Sequence, residues 1–284
     1  MYEIVEKRFL ATDIYLMDVA APRIARAALP GQFVMVRATE TGERIPLTIC
    51  DYNASRGTVT LVTQIVGASS RLICQKEKGD SLLDVVGPLG RPSELVHKTG
   101  DELQRLRLLF VAGGLGTAPV YPQVKWLHER GATVDVIIGA KTASLLIFRE
   151  EMQAVCAHLH ITTDNGSAGR KGLVTDVIKH LVEEEKQSYD MIVAIGPMIM
   201  MKFVALQAKS YRIPVVVSLN TLMVDGTGMC GACRVNIGGQ TKFTCVDGPE
   251  FDGALVDFDE AMRRQTMYRQ MELTATNGTM KEKV

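Results

Sequence analysis

Four side chains near the end of the sequence have the types and spacing of a metal-cluster site. Two residues separate Cys230 from Cys233, eleven separate Cys233 from Cys245, and four separate Asp225 from Cys230. Plant-type [2Fe–2S] sites use C-x4-C-x2-C and a distant fourth cysteine, so Asp225 stands where the first thiolate would be. The pattern predicts a [2Fe–2S] cluster with these four ligands. The alternative is a zinc site with three thiolates and Asp225, although zinc sites usually combine two C-x2-C pairs.

The same stretch is rich in glycine, with Gly226, Gly228 and Gly231 between the ligands. Glycine allows the tight turns that wrap a backbone around a compact inorganic centre. It also leaves amide N–H groups free to point at sulfur. A different role for Asp225 is an Asx-turn within this loop, with a neighbouring residue or water as the fourth ligand.

A second motif is Arg44-Ile-Pro-Leu-Thr48, at the entrance to a β-branched stretch. The Arg44 guanidinium could clamp a diphosphate with two parallel hydrogen bonds. The Thr48 hydroxyl could bond to a ring nitrogen. The alternative is a surface arginine on an edge strand.

A third motif is Gly67-Ala-Ser69-Ser70, which lies between a predicted strand and a predicted short helix. A glycine and two serines at a helix start form a suitable cradle for an anion. An ordinary capped helix explains the same residues equally well.

A fourth motif is Gly113-Gly-Leu-Gly116-Thr-Ala-Pro119, which follows an apolar strand and opens a helix near its proline. The backbone at Gly114 and Gly116 could approach a pyrophosphate closely, and the helix dipole favours its negative charge. The spacing is G-x-G-x-x-P and not the G-x-G-x-x-G fingerprint. The alternative is a tight strand–helix turn without a ligand.

The elements that position these motifs change in character near residue 99. Residues 1–98 contain short β-branched runs that predict strands over 32–37, 57–65 and 81–86. Glycine and proline separate these runs, and the spacing predicts a small antiparallel barrel. Residues 99–222 alternate apolar strands with helical patterns, which predicts a doubly wound parallel sheet. The predicted strands are 107–112, 133–138, 160–163, 191–195 and 215–218, and the predicted helices are 119–130, 145–156, 173–185 and 198–209. Residues 223–256 form the cluster segment, and 257–284 a helix and polar tail.

Composition describes an ordinary globular protein, with 46% hydrophobic and 23% charged residues. Lys plus Arg and Asp plus Glu both number 32, so charge indicates neither nucleic acid nor an anionic membrane as a partner. The first residues lack the order of a signal peptide, and no apolar run is long enough to cross a bilayer. Cys50, Cys74 and Cys156 lie scattered in apolar segments, as reduced core cysteines do. We therefore expect a cytoplasmic protein.

Taken together, these motifs resemble the ferredoxin–NADP reductase superfamily over nearly the whole chain. The stretch from Arg44 to Thr48 resembles its FAD-binding strand, with Pro46 where many members carry tyrosine. Gly67-Ala-Ser-Ser resembles its flavin-diphosphate loop, and the turn after Gly113 its nicotinamide-nucleotide turn. The cluster segment narrows the resemblance to electron-transfer subunits.

The resemblance implies three cofactors, which are FAD, NAD(H) and a [2Fe–2S] cluster. The implied FAD contacts are Arg44, Pro46, Leu47, Thr48, Gly67, Ser69 and Ser70, and Thr48 is the implied catalytic contact with the flavin. The implied nicotinamide contacts are Gly113, Gly114, Gly116, Thr117, Asp164 and Gly196. Tyr52 is a candidate for stacking on the flavin ring.

The nicotinamide nucleotide itself remains open between NAD(H) and NADP(H). Asp164 follows a predicted strand and could accept a hydrogen bond from a ribose hydroxyl, as acidic groups do in NAD sites. Arg170 and Lys171 could equally bind a 2′-phosphate. A solvated loop is the third explanation of these residues.

The resemblance also implies a partner, because a cluster on such a subunit must exchange electrons with something else. Asp225 in the first ligand position favours the small subunits of NADH-dependent ferredoxin:NADP+ oxidoreductase and of sulfide dehydrogenase. The implied assembly is a heterodimer with a larger glutamate-synthase-like flavin and iron–sulfur subunit, which reaches ferredoxin indirectly and is capable of electron bifurcation. The alternatives are the electron-transfer subunit of dihydroorotate dehydrogenase and a non-catalytic assembly subunit containing zinc. Methionines between 262 and 271 could form a partner-facing helix side.

Overall fold

The computed structural model describes residues 1–267 of the 284-residue chain. The predicted helix and tail beyond residue 267 lie outside the described residues. A seven-stranded antiparallel sheet forms the first part, in the order β6-β1-β2-β5-β4-β3-β7. Its strands are β1 (Tyr2–Ala11), β2 (Ile14–Ala20), β3 (Phe33–Arg37), β4 (Ile45–Asn53), β5 (Thr58–Gln64), β6 (Ser81–Leu82) and β7 (Asp84–Leu89). Because only Leu83 separates the two edge strands, the sheet curls into a nearly closed barrel.

Strand β3 is buried on both of its faces, which the sequence explains by an unbroken apolar run. Val34 and Val36 point into the barrel core. Phe33 and Met35 point outwards and pack with Met223, Cys233 and Cys245 of the cluster segment. One strand therefore forms the wall between the barrel interior and the cluster segment.

The second part is a parallel sheet in the order β11-β10-β9-β8-β12-β13-β16. Its strands are β8 (Arg107–Gly113), β9 (Thr133–Ala140), β10 (His158–Thr163), β11 (Arg170–Lys171), β12 (Met191–Ile195), β13 (Val215–Ser218) and β16 (Glu250–Asp252). The central strands are almost wholly apolar and buried, as expected where helices cover both faces. Only β16 runs antiparallel, and it pairs with β13 at the edge. The predicted barrel and doubly wound sheet are thus confirmed.

Nine α-helices lie within the described residues. They are α1 (Pro22–Ala27), α2 (Ala68–Cys74), α3 (Gly100–Arg105), α4 (Thr117–His128), α5 (Arg149–Gln153), α6 (Val174–Lys179), α7 (Met198–Tyr211), α8 (Thr244–Asp247) and α9 (Phe258–Gln265). A π-helical turn, His180–Glu184, continues α6. The short hairpin of β14 (Arg234–Ile237) and β15 (Gln240–Phe243) belongs to the cluster segment.

Two sequence-based predictions of elements are wrong. The predicted helix over 145–156 begins only at Arg149, because Phe148 is left-handed with φ of 57° and packs against the barrel. The predicted strand over 81–86 is divided between β6 and β7, which lie on opposite edges of the sheet. In both cases, contacts with a distant part of the chain override the local pattern.

The barrel and the parallel sheet share an apolar junction. Ala118 and Phe148 pack there with Leu16 and Val62 of the barrel, in a group that also contains Cys50. The Nζ atom of Lys125 on α4 lies 2.7 Å from the Asp51 carboxylate on β4. No helix among residues 1–267 is long and apolar enough to cross a membrane.

Candidate functional site

The two glycines of the nucleotide turn have different structural roles. Gly114 has φ of +54°, and a Cβ atom there would meet nothing within 4 Å. A Cβ on Gly116 would instead overlap the carbonyl oxygen of Ile195, at the end of β12. Gly114 therefore leaves open space in which a ligand can approach the backbone, and Gly116 allows the close packing of α4 on the sheet.

Three other predicted residues, Thr117, Gly113 and Gly196, stabilise this turn or pack beside it. The buried Thr117 hydroxyl donates to the Gly114 carbonyl oxygen at 2.9 Å, so it stabilises the turn. Gly113 and Gly196 lie against each other at the ends of β8 and β12, where added Cβ atoms would also collide with Met200. The arrangement lies at the carboxyl edge of the parallel sheet, where ligands of such folds bind. The open Gly114 backbone fits a pyrophosphate.

Asp164 follows β10 at the same edge and is exposed. Strand β11, which consists of Arg170 and Lys171, pairs with the end of β10. The structure therefore brings the candidate acidic and basic groups to one edge of the sheet, and both nicotinamide nucleotides remain open.

The first half of β4 lies beside β3. Thr48 is opposite Phe33, and Pro46 is opposite Met35. Proline has no backbone N–H to donate to a neighbouring strand. Pro46 is tolerated because β5 pairs with β4 only from Ile49 onwards, so no β5 residue lies where it would accept that N–H. Leu47 lies between them, with its side chain packed against the barrel core.

The loops that carry Arg44 and Ser69 meet in the structure. The Arg44 guanidinium forms an ion pair with Asp84 at 2.7 Å. The adjacent Glu43 carboxylate accepts a hydrogen bond from the Ser69 hydroxyl at 3.0 Å. The Glu43 carboxylate oxygen thus occupies a position in the loop that is predicted to bind an anion. The spacing alone identified neither Glu43 nor Asp84.

The remaining two residues of that loop shape its backbone. The buried Ser70 hydroxyl accepts hydrogen bonds from the N–H groups of Val66 and Gly67, at 2.9 and 3.0 Å. A Cβ atom on Gly67 would meet nothing within 4 Å. Gly67 therefore faces open space, which fits the diphosphate of FAD, whereas the Ser69 hydroxyl is bonded to Glu43 and Ser70 caps α2.

Two of the four predicted cluster ligands lie together. The Sγ atoms of Cys233 and Cys245 are buried and 3.3 Å apart, well beyond the length of a disulfide bond. Burial and the neighbouring thiol raise the pKa of Cys245 to about 12, so metal binding there must displace a proton. Cys230 is exposed at the surface. Within residues 1–267, no three His, Cys, Asp or Glu side chains are close enough to hold a metal.

The Asp225 carboxylate binds its own loop. It accepts hydrogen bonds from the Thr227 hydroxyl at 2.6 Å and from the N–H groups of Thr227 and Met229 at 3.2 Å. The Thr227 hydroxyl lowers the pKa of Asp225 below its ordinary value. These contacts form the Asx-type turn that was the alternative role for Asp225. Its ligation of iron stays a prediction.

The cluster loop and the predicted flavin strand share a neighbour. Gly226, with φ of +82°, lies directly against Met35 of β3. Strand β3 pairs on one side with the strand that carries Pro46 and Thr48. The buried pair of thiols, a third exposed thiol and three left-handed glycines suit an iron–sulfur cluster, and β3 holds that site beside the flavin strand.

Comparison with known proteins identifies two domains in the chain. Residues 220–257 match the iron–sulfur cluster binding domain of dihydroorotate dehydrogenase B. Residues 110–206 match the oxidoreductase NAD-binding domain. These matches contain the predicted cluster ligands and the nucleotide turn.

Whole-chain similarities extend beyond these domains. The dihydroorotate dehydrogenase B electron transfer subunit homolog of Thermotoga maritima is 46% identical over 270 residues, which are 95% of this chain and 92% of that protein. The corresponding electron transfer subunit of Geobacillus kaustophilus is 33% identical over 254 residues, 87% of this chain and 94% of that protein. A chain of the NADH-dependent reduced ferredoxin-NADP oxidoreductase, solved for insight into flavin-based electron bifurcation, superposes with a TM-score of 0.91. It is 43% identical, and the match covers 99% of this chain and 98% of that one.

The comparisons confirm the predicted superfamily, the oxidoreductase class, and the nicotinamide and iron–sulfur cofactors. The fold is that of FAD-binding reductases, as predicted. Because the sequence is similar to these subunits over nearly its full length and carries both of their domains, the chain belongs to the family of ferredoxin–NADP reductase-like electron-transfer subunits.

Proposed function

We propose that the chain is the small subunit of an NADH-dependent reduced ferredoxin:NADP+ oxidoreductase, and that it carries electrons between NAD(H) and a larger subunit. The observation that carries this proposal is the position of β3, which contacts the cluster loop through Met35 and pairs with the flavin strand. The similarity over 99% of the chain supports the same assignment.

The predicted site residues would hold the cofactors. Arg44 and Ser69 would hold the FAD diphosphate, and the Gly114 backbone would receive the pyrophosphate of NAD(H). Thr48, half-buried beside Phe33, would donate a hydrogen bond to the reacting edge of the flavin. When bound, FAD supplies the exchange between two-electron hydride chemistry and the one-electron chemistry of an iron–sulfur cluster. The protein itself orients the groups, and needs no acid–base pair.

The cluster would be held by the three cysteine thiolates and by Asp225. To ligate iron, the Asp225 carboxylate exchanges its bonds to Thr227 and Met229 for the metal. The same loop with Asp225 left in its turn is the alternative, with a neighbouring residue or water as fourth ligand.

Exposed apolar residues precede Cys230 and follow Cys245 in the sequence. Met229 is 89% exposed, Val224 is 55% exposed and Val246 is 40% exposed. Val246 packs beside Gly228 of the cluster loop. We assign this surface to the larger flavin and iron–sulfur subunit of glutamate-synthase-like type, through which ferredoxin is reached. The complex belongs to the reducing cytoplasm, where exposed thiols persist.

Absorption and EPR spectra of the purified chain test this function. We expect bound flavin, two iron atoms and two sulfides per chain, and an EPR signal that appears on reduction by NADH. A colourless protein that contains zinc would contradict the proposal.

The identity of the partner separates the remaining assignments. Purification of the complex from its native source should yield a subunit that reduces NADP+ with reduced ferredoxin and NADH. A partner that oxidises dihydroorotate would instead establish the dihydroorotate dehydrogenase alternative, to which the 33% identity relates. A partner that oxidises sulfide would establish the sulfide dehydrogenase.

A further inference from the structure

Helix α9 is anchored on the parallel-sheet domain. Phe258 and Ala261 are buried in the apolar core that α7 shares with the sheet. Asp259 forms an ion pair with Lys202 of α7 at 2.7 Å. The Asp257 carboxylate caps the first turn by accepting from the Glu260 N–H at 2.9 Å. These contacts fix the direction in which the helix leaves the domain.

The last turn of α9 contacts both ends of the cluster loop. The Arg264 Nη2 atom donates to the carbonyl oxygen of Ala232 at 3.1 Å. Ala232 lies between two predicted ligands, Cys230 and Cys233. The Gln265 Nε2 atom donates to the backbone oxygen of Asn220 at 2.8 Å, just before the loop.

Helix α9 lies beyond the matched cluster-binding domain, which ends at residue 257. Its basic last turn has an ordinary explanation in the helix dipole, which favours cations there. That explanation applies equally to Arg263 and Arg264. It does not account for the difference between them, because Arg263 is exposed and Arg264 is partly buried against the loop.

We propose that α9 is part of the cluster site and that Arg264 is a positioning residue for the ligand loop. Its hydrogen bond to Ala232 holds the turn that carries Cys230 and Cys233, and its positive charge favours the more negative, reduced cluster. Gln265 holds the other end of the loop at Asn220. This inference rests on the proposed function, since it requires a cluster at these cysteines.

The test compares two substitutions in the full-length chain, each of which removes one positive charge. Arg264→Gln removes the contact and the charge, and Arg263→Gln removes a charge one position away with no contact to the loop. Arg264→Lys keeps the charge and one donor. For each protein we would measure iron and flavin content, the rate of iron release to a chelator, and the cluster midpoint potential by EPR-monitored titration.

We expect Arg264→Gln to weaken iron retention about 10- to 100-fold, as loss of an outer-shell contact does, and to lower the potential. A tenfold change in the one-electron equilibrium corresponds to about 59 mV. Arg263→Gln should match the wild type, and Arg264→Lys should recover most of the potential. Unchanged flavin content would show that the variants are folded.

Wild-type iron retention and potential in Arg264→Gln would overturn the inference, as would equal shifts in Arg263→Gln and Arg264→Gln. These results leave the proposed function intact because the wild-type chain would still contain its cluster. A wild-type chain without iron and sulfide would overturn both.

Discussion

At the scale of single residues, two glycines of the same motif have different structural roles. Gly114 and Gly116 are both needed by the G-x-G-x-x-P pattern, yet only Gly114 borders open space. Gly116 instead lies against the Ile195 carbonyl. The Asp225 carboxylate, which the spacing predicts as a cluster ligand, binds its own loop in the structure.

Substitution of the two glycines should separate nucleotide binding from folding. Gly114→Asn should keep the fold, because asparagine tolerates the left-handed conformation, but should weaken NADH binding by filling the open space. Gly116→Ala should destabilise the protein by about 1–3 kcal/mol, the usual cost of overpacking. Thermal unfolding and NADH titration of the bound flavin measure the two effects. Unaltered NADH affinity in Gly114→Asn would show that the pyrophosphate binds elsewhere.

Substitution of Asp225 should show whether its carboxylate ligates the cluster as well as binding its own loop. Asp225→Cys should preserve a [2Fe–2S] centre with a shifted potential and EPR g-values, because a thiolate donates more charge to iron than a carboxylate. Asp225→Ala should make the cluster labile. Asp225→Asn is the control, since its amide oxygen can still accept the bonds from Thr227 and Met229. Wild-type EPR and potential in Asp225→Ala would mean that the carboxylate is not on the iron.

At the scale of elements, β16 joins three parts of the molecule. It pairs with β13 of the parallel sheet, and its Glu250 carboxylate accepts from Gln123 of α4 at 2.7 Å. The same carboxylate borders Gly31 and Ser93 of the barrel region. Burial raises the pKa of Glu250, and hydrogen bonds from Ser93 and Gln123 only partly oppose it. Folding therefore makes the Glu250 carboxyl group, which lies between β16 and the barrel region, harder to ionise.

This junction gives a pH-dependent prediction. Because the folded pKa of Glu250 exceeds the ordinary value of 4.5, the stability that its protonated form contributes is present at low pH and lost as pH rises through the folded pKa. Glu250→Gln, which cannot ionise, should exceed the wild type in unfolding free energy at neutral pH.

The difference should vanish below about pH 4.5, where the wild-type carboxyl is protonated in both states. Denaturant unfolding across this pH range measures it. Glu94→Gln serves as the control, because it removes an exposed charge near the same junction. A constant difference at all pH values would mean that ionisation of Glu250 is not its cause.

At the scale of the whole molecule, different packing contacts hold the proposed cofactor sites and the proposed partner surface. The barrel and the parallel sheet meet at the apolar junction beside Lys125 and Asp51. The cluster segment packs on the outer face of β3 and on the edge of β13. Met229 and Val246 are exposed on the cluster segment.

Substitution of Met229 tests the partner surface. Met229→Glu should weaken association with the larger subunit about tenfold or more, because it places a charge in the centre of an apolar contact. Phe9→Glu is the matched control, since Phe9 is also exposed, at 65%, but lies on the barrel hairpin. Binding of the purified subunits measures the effect, with iron content checked in each variant. Equal binding of Met229→Glu and the wild type would place the interface elsewhere.

The sequence by itself determined the features that depend on neighbouring residues. The cysteine spacing, the turn after Gly113 and the strands Met191–Ile195 and Val215–Ser218 follow from local residue order and periodicity, and the structure contains the turn and both strands as predicted. Tertiary structure decided the rest. Contacts between residues far apart in the sequence shorten α5 and pack Gly116 against the sheet. The hydrogen bonds of Glu250 and Arg264 are also of this kind. Such contacts depend on the tertiary arrangement of distant segments, and the local sequence pattern does not predict that arrangement.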